Sequence, residues 1–194
     1  PDAPAIPGLV FRRFRGESDY PRILAVQNGC RQEDGDEWVQ TLDDVVNRYT
    51  HMANCDLYRD MVFAEVDGEV IGFGRGSWSQ ETNGPWRAQV YVALLPEWRG
   101  KGIRRAMLCH CERRMREVAA ELQPGAETVL ESWAEQGEKH WATLLEDAGY
   151  AAMRYGYQMV RPNLENIPDF PLPEGLEVRP AMPEHYRAIW DANV

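Results

Sequence analysis

The run Leu95-Pro96-Glu97-Trp98-Arg99-Gly100-Lys101-Gly102-Ile103-Arg104-Arg105 sets glycines and cations between an apolar stretch that stops at a proline and a long amphipathic stretch. That order suits the binding of an anion. Gly100 and Gly102 carry no side chains to keep a ligand from the backbone N–H groups, and a helix opening at Ile103 would aim the positive end of its dipole at the same point. A phosphate or diphosphate is the expected ligand. A nucleotide P-loop needs Ser or Thr after Gly-Lys to hold magnesium, but Gly102 stands there. A dinucleotide fingerprint needs a third glycine where this chain has Arg105, so that reading fails too.

The apolar run Val90 to Leu95, followed by Pro96-x-x-Arg99-Gly100-x-Gly102-Ile103 and a helix, closely resembles motif A of the GCN5-related N-acetyltransferase (GNAT) superfamily. Leu144-Leu145-Glu146-Asp147-Ala148-Gly149-Tyr150 resembles the helix-to-strand junction of the same proteins. The likeness covers roughly residues 8 to 161. It implies acetyl-CoA as cosubstrate, with no metal. It also implies that the backbone around Leu94 and Leu95 binds the pantetheine arm as an added strand, and that Arg99, Gly100, Lys101, Gly102, Ile103 and Arg104 surround the diphosphate. One position departs from the pattern, since Gly or Ala normally follows Ile103 and this chain has Arg104. At a helix start that side chain is expected to project toward solvent and a cofactor phosphate; the alternative is that it crowds the ligand.

Acetyl transfer to an amine needs the amine neutral, hence a general base or a proton-conducting water chain, and a general acid for the leaving thiolate. The superfamily often takes its base from a Glu on the strand before the loop, yet Trp86 to Leu95 contains no acid. Glu131, on the next strand and followed closely by Glu135 and His140, is the candidate base. Partial burial beside Trp133 would suit it to that role, and a solvated strand residue is the alternative. The resemblance places the acid, a Tyr, where this chain has Leu145; Tyr91, Tyr155 and Tyr157 are possible substitutes.

The elements that must position these groups follow from periodicity. Gly8 to Arg15 reads as a strand, Glu17 to Asn28 as a helix, and Thr41 as the cap of a second helix. Met61 to Val66 and Glu69 to Gly74 form a hairpin about Asp67-Gly68, a pair that readily supplies positive backbone angles. Trp86 to Leu95 is a strand and Gly102 to Leu122 a helix with Ile103, Met107, Cys111, Met115 and Val118 on one stripe. Thr128 to Trp133 is a strand, Gly137 to Asp147 a helix and Tyr150 to Val160 a last strand. The order β-α-α-β-β-β-α-β-α-β implies an α+β fold, a mixed and mostly antiparallel sheet flanked by helices.

One domain is expected over residues 8–161, a proline-rich linker over 162–174, and the first strand and helix of a truncated second domain over 175–194. Gly175-Leu176-Glu177-Val178-Arg179 and Tyr186-x-x-Ile189 repeat Gly8-Leu9-Val10-Phe11-Arg12 and Tyr20-x-x-Ile23 one domain length later. A docked C-terminal extension is the other reading. The formal net charge of -10 opposes nucleic-acid binding. No apolar run approaches the roughly 18 residues of a membrane span, so a soluble cytoplasmic chain is expected. Cys30, Cys55, Cys109 and Cys111 read as free thiols, and Cys109 and Cys111 face opposite ways on a helix, which rules out joint chelation. A small-molecule or peptide amine is the expected acceptor. The acidic run Glu33-Asp34-Gly35-Asp36-Glu37 would favour a cationic one, and a second domain or a homodimer is the expected partner. The rival to an enzyme is a non-catalytic acyl-CoA-binding half of a tandem protein.

Overall fold

A computed structural model describes residues 3–36, 38–80, 84–122, 124–125, 127–157 and 159–193. Glu37, Gln158 and Val194, which belong to the acidic run, the last expected strand and the second domain, lie outside the described residues. Two compact units divide the chain, Pro1–Ala152 and Met153–Val194.

In the first unit β1 (Leu9–Arg12) precedes a 3-10 turn and α1 (Tyr20–Asp34), which ends at Gly35 in the left-handed conformation. α2 (Leu42–Thr50) is fixed by a capping box. The Thr41 hydroxyl accepts from the Asp44 amide, and the Asp44 carboxylate accepts from the Thr41 amide. After a one-turn α3 (Leu57–Asp60) come β2 (Met61–Val66), β3 (Glu69–Gln80) and β4 (Trp86–Leu94), then α4 (Ile103–Leu122), β5 (Thr128–Glu131) and α5 (Lys139–Asp147). Asp67 and Gly68 take φ of 52° and 90°, as the hairpin between β2 and β3 requires.

The sheet runs β1-β2-β3-β4-β5, with antiparallel pairs except for parallel β4 and β5. This is the α+β architecture that the element order implied. One face packs on α4 and α5 through Val90, Val92, Ile103, Met107, Cys111, Met115 and Trp141. The other packs on α1 and α2 through Ile23, Val26, Val45, Tyr49, Phe63 and Phe73. Glycines of β3 set how closely it lies to β4 and to α4. A Cβ on Gly72 would stand 2.8 Å from the Ala93 carbonyl oxygen, and one on Gly76 would stand 2.6 Å from the Met115 Cε.

Three expectations need correction. First, the helix expected to stop at Asn28 continues to Asp34, so Glu33 and Asp34 of the acidic run belong to it. Second, the described residues between Tyr150 and Val160 form no strand, and the first unit closes at Ala152. A strand persists only against a partner edge, and β5 is a short ladder of four residues. Gly156 further weakens the alternating pattern, and Met153, Tyr155, Tyr157 and Met159 are exposed. Third, residues 175–179 form no strand, although the second unit does contain a 3-10 turn (Pro183–His185) and α6 (Tyr186–Asn193). All four cysteines are free, and no helix among the described residues is long and apolar enough to cross a membrane.

Gly72→Ala is expected to destabilise the first unit by about 2 kcal/mol, because the new methyl meets backbone rather than a movable side chain. The check is the urea midpoint at unchanged slope. A midpoint equal to that of the parent would mean that β4 gives way freely at this point.

Candidate functional site

Strand alternation determines which backbone groups of β4 face β5. The Trp86 amide donates to the Glu127 carbonyl, so Trp86, Ala88, Val90, Val92 and Leu94 turn their N–H and C=O groups to that side. Pairing with β5 covers only Trp86 to Gln89. Beyond Gln89 the strands part, and β4 presents backbone without a neighbouring strand. The chain's own side chains meet its carbonyls instead. Ser132 Oγ donates to Val90 O at 2.9 Å. Arg104 donates to Val92 O from Nε at 3.0 Å and from Nη2 at 2.7 Å. Arg99 Nε donates to Leu94 O at 3.0 Å, where Cys30 Sγ also donates at 3.3 Å.

Where β4 ends, Pro96–Trp98 make a 3-10 turn, and Gly100 and Gly102 follow with φ of 74° and 83° before α4 opens at Ile103. Only glycine holds two such angles cheaply. No atom stands within 4 Å of a Cβ built on Gly100, and the side chain nearest to one on Gly102 is Pro4, at 3.7 Å. Lys101 is exposed, with Nζ 4.6 Å from the centre of the Trp98 ring. This is a loop with open backbone, an exposed lysine beside the Trp98 ring and a helix of 20 residues behind it, a setting that attracts an anion. Leu94 is buried, and the Leu95 side chain packs on α1 at Gly29.

The two arginines assigned to the diphosphate are engaged elsewhere. Arg99 grips Asp34 through two bonds, Nη1 to Oδ1 at 2.6 Å and Nη2 to Oδ2 at 2.7 Å, and so ties the loop to the C-terminal end of α1. Burial alone would lower the Arg99 pKa, but the hydrogen bonds and charge of Asp34 outweigh it and hold the guanidinium above its ordinary value. Arg104 overturns the expectation that it projects to solvent. It is 3% exposed and turned inward, with Nη2 2.8 Å from Glu138 Oε1 and its guanidinium carbon 4.2 Å from the centre of the Trp141 ring. Its Nη1 is buried with no partner among the described residues.

Glu131 lies at the fork, but Arg87 Nη1 donates to one of its oxygens at 3.0 Å and Gln89 Nε2 to the other at 2.7 Å. His140 is in the first turn of α5. Desolvation and then the charges of Arg104 and Arg99 hold it below the ordinary imidazole value, so it is neutral near pH 7. Of the tyrosines weighed as acids, Tyr91 is raised by burial, while Tyr155 and Tyr157 are exposed in the second unit. Trp86 is buried against Trp78, and Trp38 and Trp133 are exposed. Asp36 caps the Trp38 amide rather than standing free. Nothing in the sequence marked Ser132, Glu138 or Trp141 for this site, and Asp34 stood only in the acidic run expected to favour a cationic acceptor. The only signal for Arg104's partners was the misplaced size of Arg104 itself.

Residues 26–136 match the acetyltransferase (GNAT) family. No curated protein sequence matches the chain. Among solved structures, a GCN5-related N-acetyltransferase from Sphaerobacter thermophilus superposes with a TM-score of 0.70 at 21% identity, over 95% of this chain and 57% of that one. This chain therefore spans little more than half the length of that protein. A Salmonella typhimurium protein solved with its cofactor acetyl-CoA gives 0.59 at 15% identity, over 79% of this chain and 88% of that one. An aminoglycoside N-acetyltransferase in complex with CoA gives 0.55 at 13%, over 82% and 99%.

Asp34→Asn leaves Arg99 without its counter-charge in a site where each side chain is 11% exposed, and is expected to cost about 3 kcal/mol of stability. Chemical denaturation checks this. An unchanged midpoint would show that the pair does not fasten the loop to α1.

Proposed function

Because the chain belongs to the acetyltransferase (GNAT) family, we propose that it binds acetyl-CoA at the Arg99–Arg104 loop and passes the acetyl group to a primary amine by direct attack on the thioester. One observation carries the reading: Gly100 and Gly102, both at positive φ, leave the loop backbone open immediately before a long helix. In this reading the loop amides and Lys101 hold the diphosphate. Arg99 supports the loop from behind through Asp34, and the edge of β4 at Leu94 and Leu95 receives the pantetheine arm. Glu131 takes the proton of the amine once Arg87 and Gln89 release it, and His140 is a second group able to accept a proton at neutral pH. The acceptor is a small-molecule or peptide amine, a class that includes the aminoglycosides named for one structural neighbour.

A second reading, a non-catalytic acyl-CoA-binding half of a tandem protein, is favoured by two specific contacts. Arg104 caps Val92 O where the arm would lie, and both Glu131 oxygens are already hydrogen-bonded. The tandem arrangement itself is supported by a local repeat of structure. A 3-10 turn over Glu17–Asp19 leads into a helix opening at Tyr20, and one over Pro183–His185 leads into a helix opening at Tyr186. Under this proposal residues 175–194 begin a second domain, and a homodimer is the other arrangement that would supply a second copy of the site.

Calorimetric titration with acetyl-CoA, followed by a thiol-release screen over a panel of amines, separates the two readings. Binding with release of thiol establishes the transferase, and binding without release establishes the module. Gly102→Val, which bars the amides and strains the left-handed backbone, is expected to weaken binding about tenfold or more. Equal affinity in that variant would move the diphosphate away from the loop.

A further inference from the structure

Arg12, Arg87, Arg99, Arg104 and Arg114 have side chains no more than 11% exposed, and each pairs with a carboxylate. Arg75, partly buried on β3, forms no ion pair with any described carboxylate. Its Nη1 donates at 3.0 Å to the thioether sulfur of Met52, a weak acceptor, and its Nε is buried with no partner among the described residues. The rings of Tyr49 and Tyr91 flank the guanidinium, with centres 5.7 and 5.4 Å from its carbon, and hold it in place. Neither ring supplies a counter-charge. Burial raises Tyr49, Tyr91 and the neighbouring thiol of Cys55, so all three are neutral near pH 7. Withdrawing a cation from water without an anion beside it is costly. The counter-charge that five other arginines receive from the chain is left, at Arg75, to come from outside it.

Arg75 is also placed to act on the acceptor. Side chains alternate along a strand, so Arg75 shares the face of Phe73, which packs with α1 and α2. Arg75 pairs in register with Tyr91, and Gln89, two residues before Tyr91, pairs with Glu131. Arg75 and Glu131 therefore rise from one face of the sheet, two strands and two residues apart, which sets their Cα atoms about 12 Å from each other. A small molecule lying on that face can meet Glu131 with an amine and Arg75 with an anion.

We propose that the acceptor of this domain is an amine that also carries a carboxylate, an amino acid in the broad sense, and that Arg75 selects it by binding the carboxylate while the amine lies toward Glu131. This rests on the reading that the domain passes an acetyl group to an amine where β4 and β5 part. A guanidinium meets a carboxylate with two parallel N–H bonds, a fit that a plain amine cannot use. Arg75 sets specificity in this arrangement and touches no reacting atom.

The test compares amines that differ only in the carboxylate: phenylalanine with phenethylamine, lysine with cadaverine, and 4-aminobutyrate with propylamine. Each is titrated calorimetrically into the protein in excess CoA, and thiol release from acetyl-CoA is measured in parallel. In at least one pair the parent is expected to bind the carboxylate-bearing member about tenfold or more tightly. Arg75→Met, similar in length and uncharged, should remove that preference and leave the plain amine's affinity unchanged, while Arg75→Lys should keep part of it. A residue that served packing alone would shift both members of a pair together. A parent with no preference in any pair overturns the proposal without a variant, which keeps the test open if Arg75→Met does not fold. So does a folded Arg75→Met that retains the preference. A preference that depends on Arg75 but comes with no thiol release upholds the carboxylate site and counts against acetyl transfer alone.

Discussion

Buried backbone carbonyls must be given donors, and this site is organised around three that the sheet leaves exposed. β5 pairs with β4 only as far as Gln89, yet β4 continues to Leu94. Its outward carbonyls at Val90, Val92 and Leu94 are met by Ser132, Arg104 and Arg99, which come from the end of β5, the start of α4 and the loop between β4 and α4. Leaving such groups unmatched inside a protein costs on the order of 1–3 kcal/mol each. The parting of two strands therefore draws side chains from three separate segments to one line, and through Arg104 it ties the start of α4 to β4.

The same requirement divides the cations by role. Arg99 and Arg104 belong to the anion loop by position, but structural contacts engage both, one with Asp34 and the other with Glu138 and Trp141. What remains to attract an anion is the oriented backbone itself, the dipole of α4 and Lys101. Recognition of this kind depends on loop shape more than on charge number. The short, two-pronged contact between Arg99 and Asp34 is thus a matter of geometry, since it fixes the loop against the end of α1.

How far the sequence disclosed this varied with how local each determinant was. The Asp67-Gly68 hairpin, the Thr41 cap and the stripe of α4 were legible because each depends on a few neighbouring residues. The glycine loop was legible for the same reason. The strand expected over Tyr150 to Val160 had the right alternation, but a strand is made by its partner, which alternation does not reveal. Arg104 was visible as an anomaly and its direction was not, because the inward turn depends on Val92, Glu138 and Trp141, each distant in sequence. Glu131 was found by residue type, while Arg87 and Gln89, which hold both its oxygens, sit on the neighbouring strand. Asp34 was read as part of a charged surface run, and only the fold shows that it faces Arg99.

The glycines of β3 carry a consequence for how this sequence can change over generations. A Cβ on Gly76 would stand 2.6–2.7 Å from Met115 side-chain atoms, so a side chain there would have to displace the methionine, while one on Gly74 would meet Cys111 less tightly, at 3.1 Å. A larger residue at 76 is accommodated most readily in a chain whose residue 115 has already grown smaller opposite it. Substitutions at these positions are therefore coupled in order as well as in identity, and in a diverging set of such domains, residue size at 76 should fall as residue size at 115 rises.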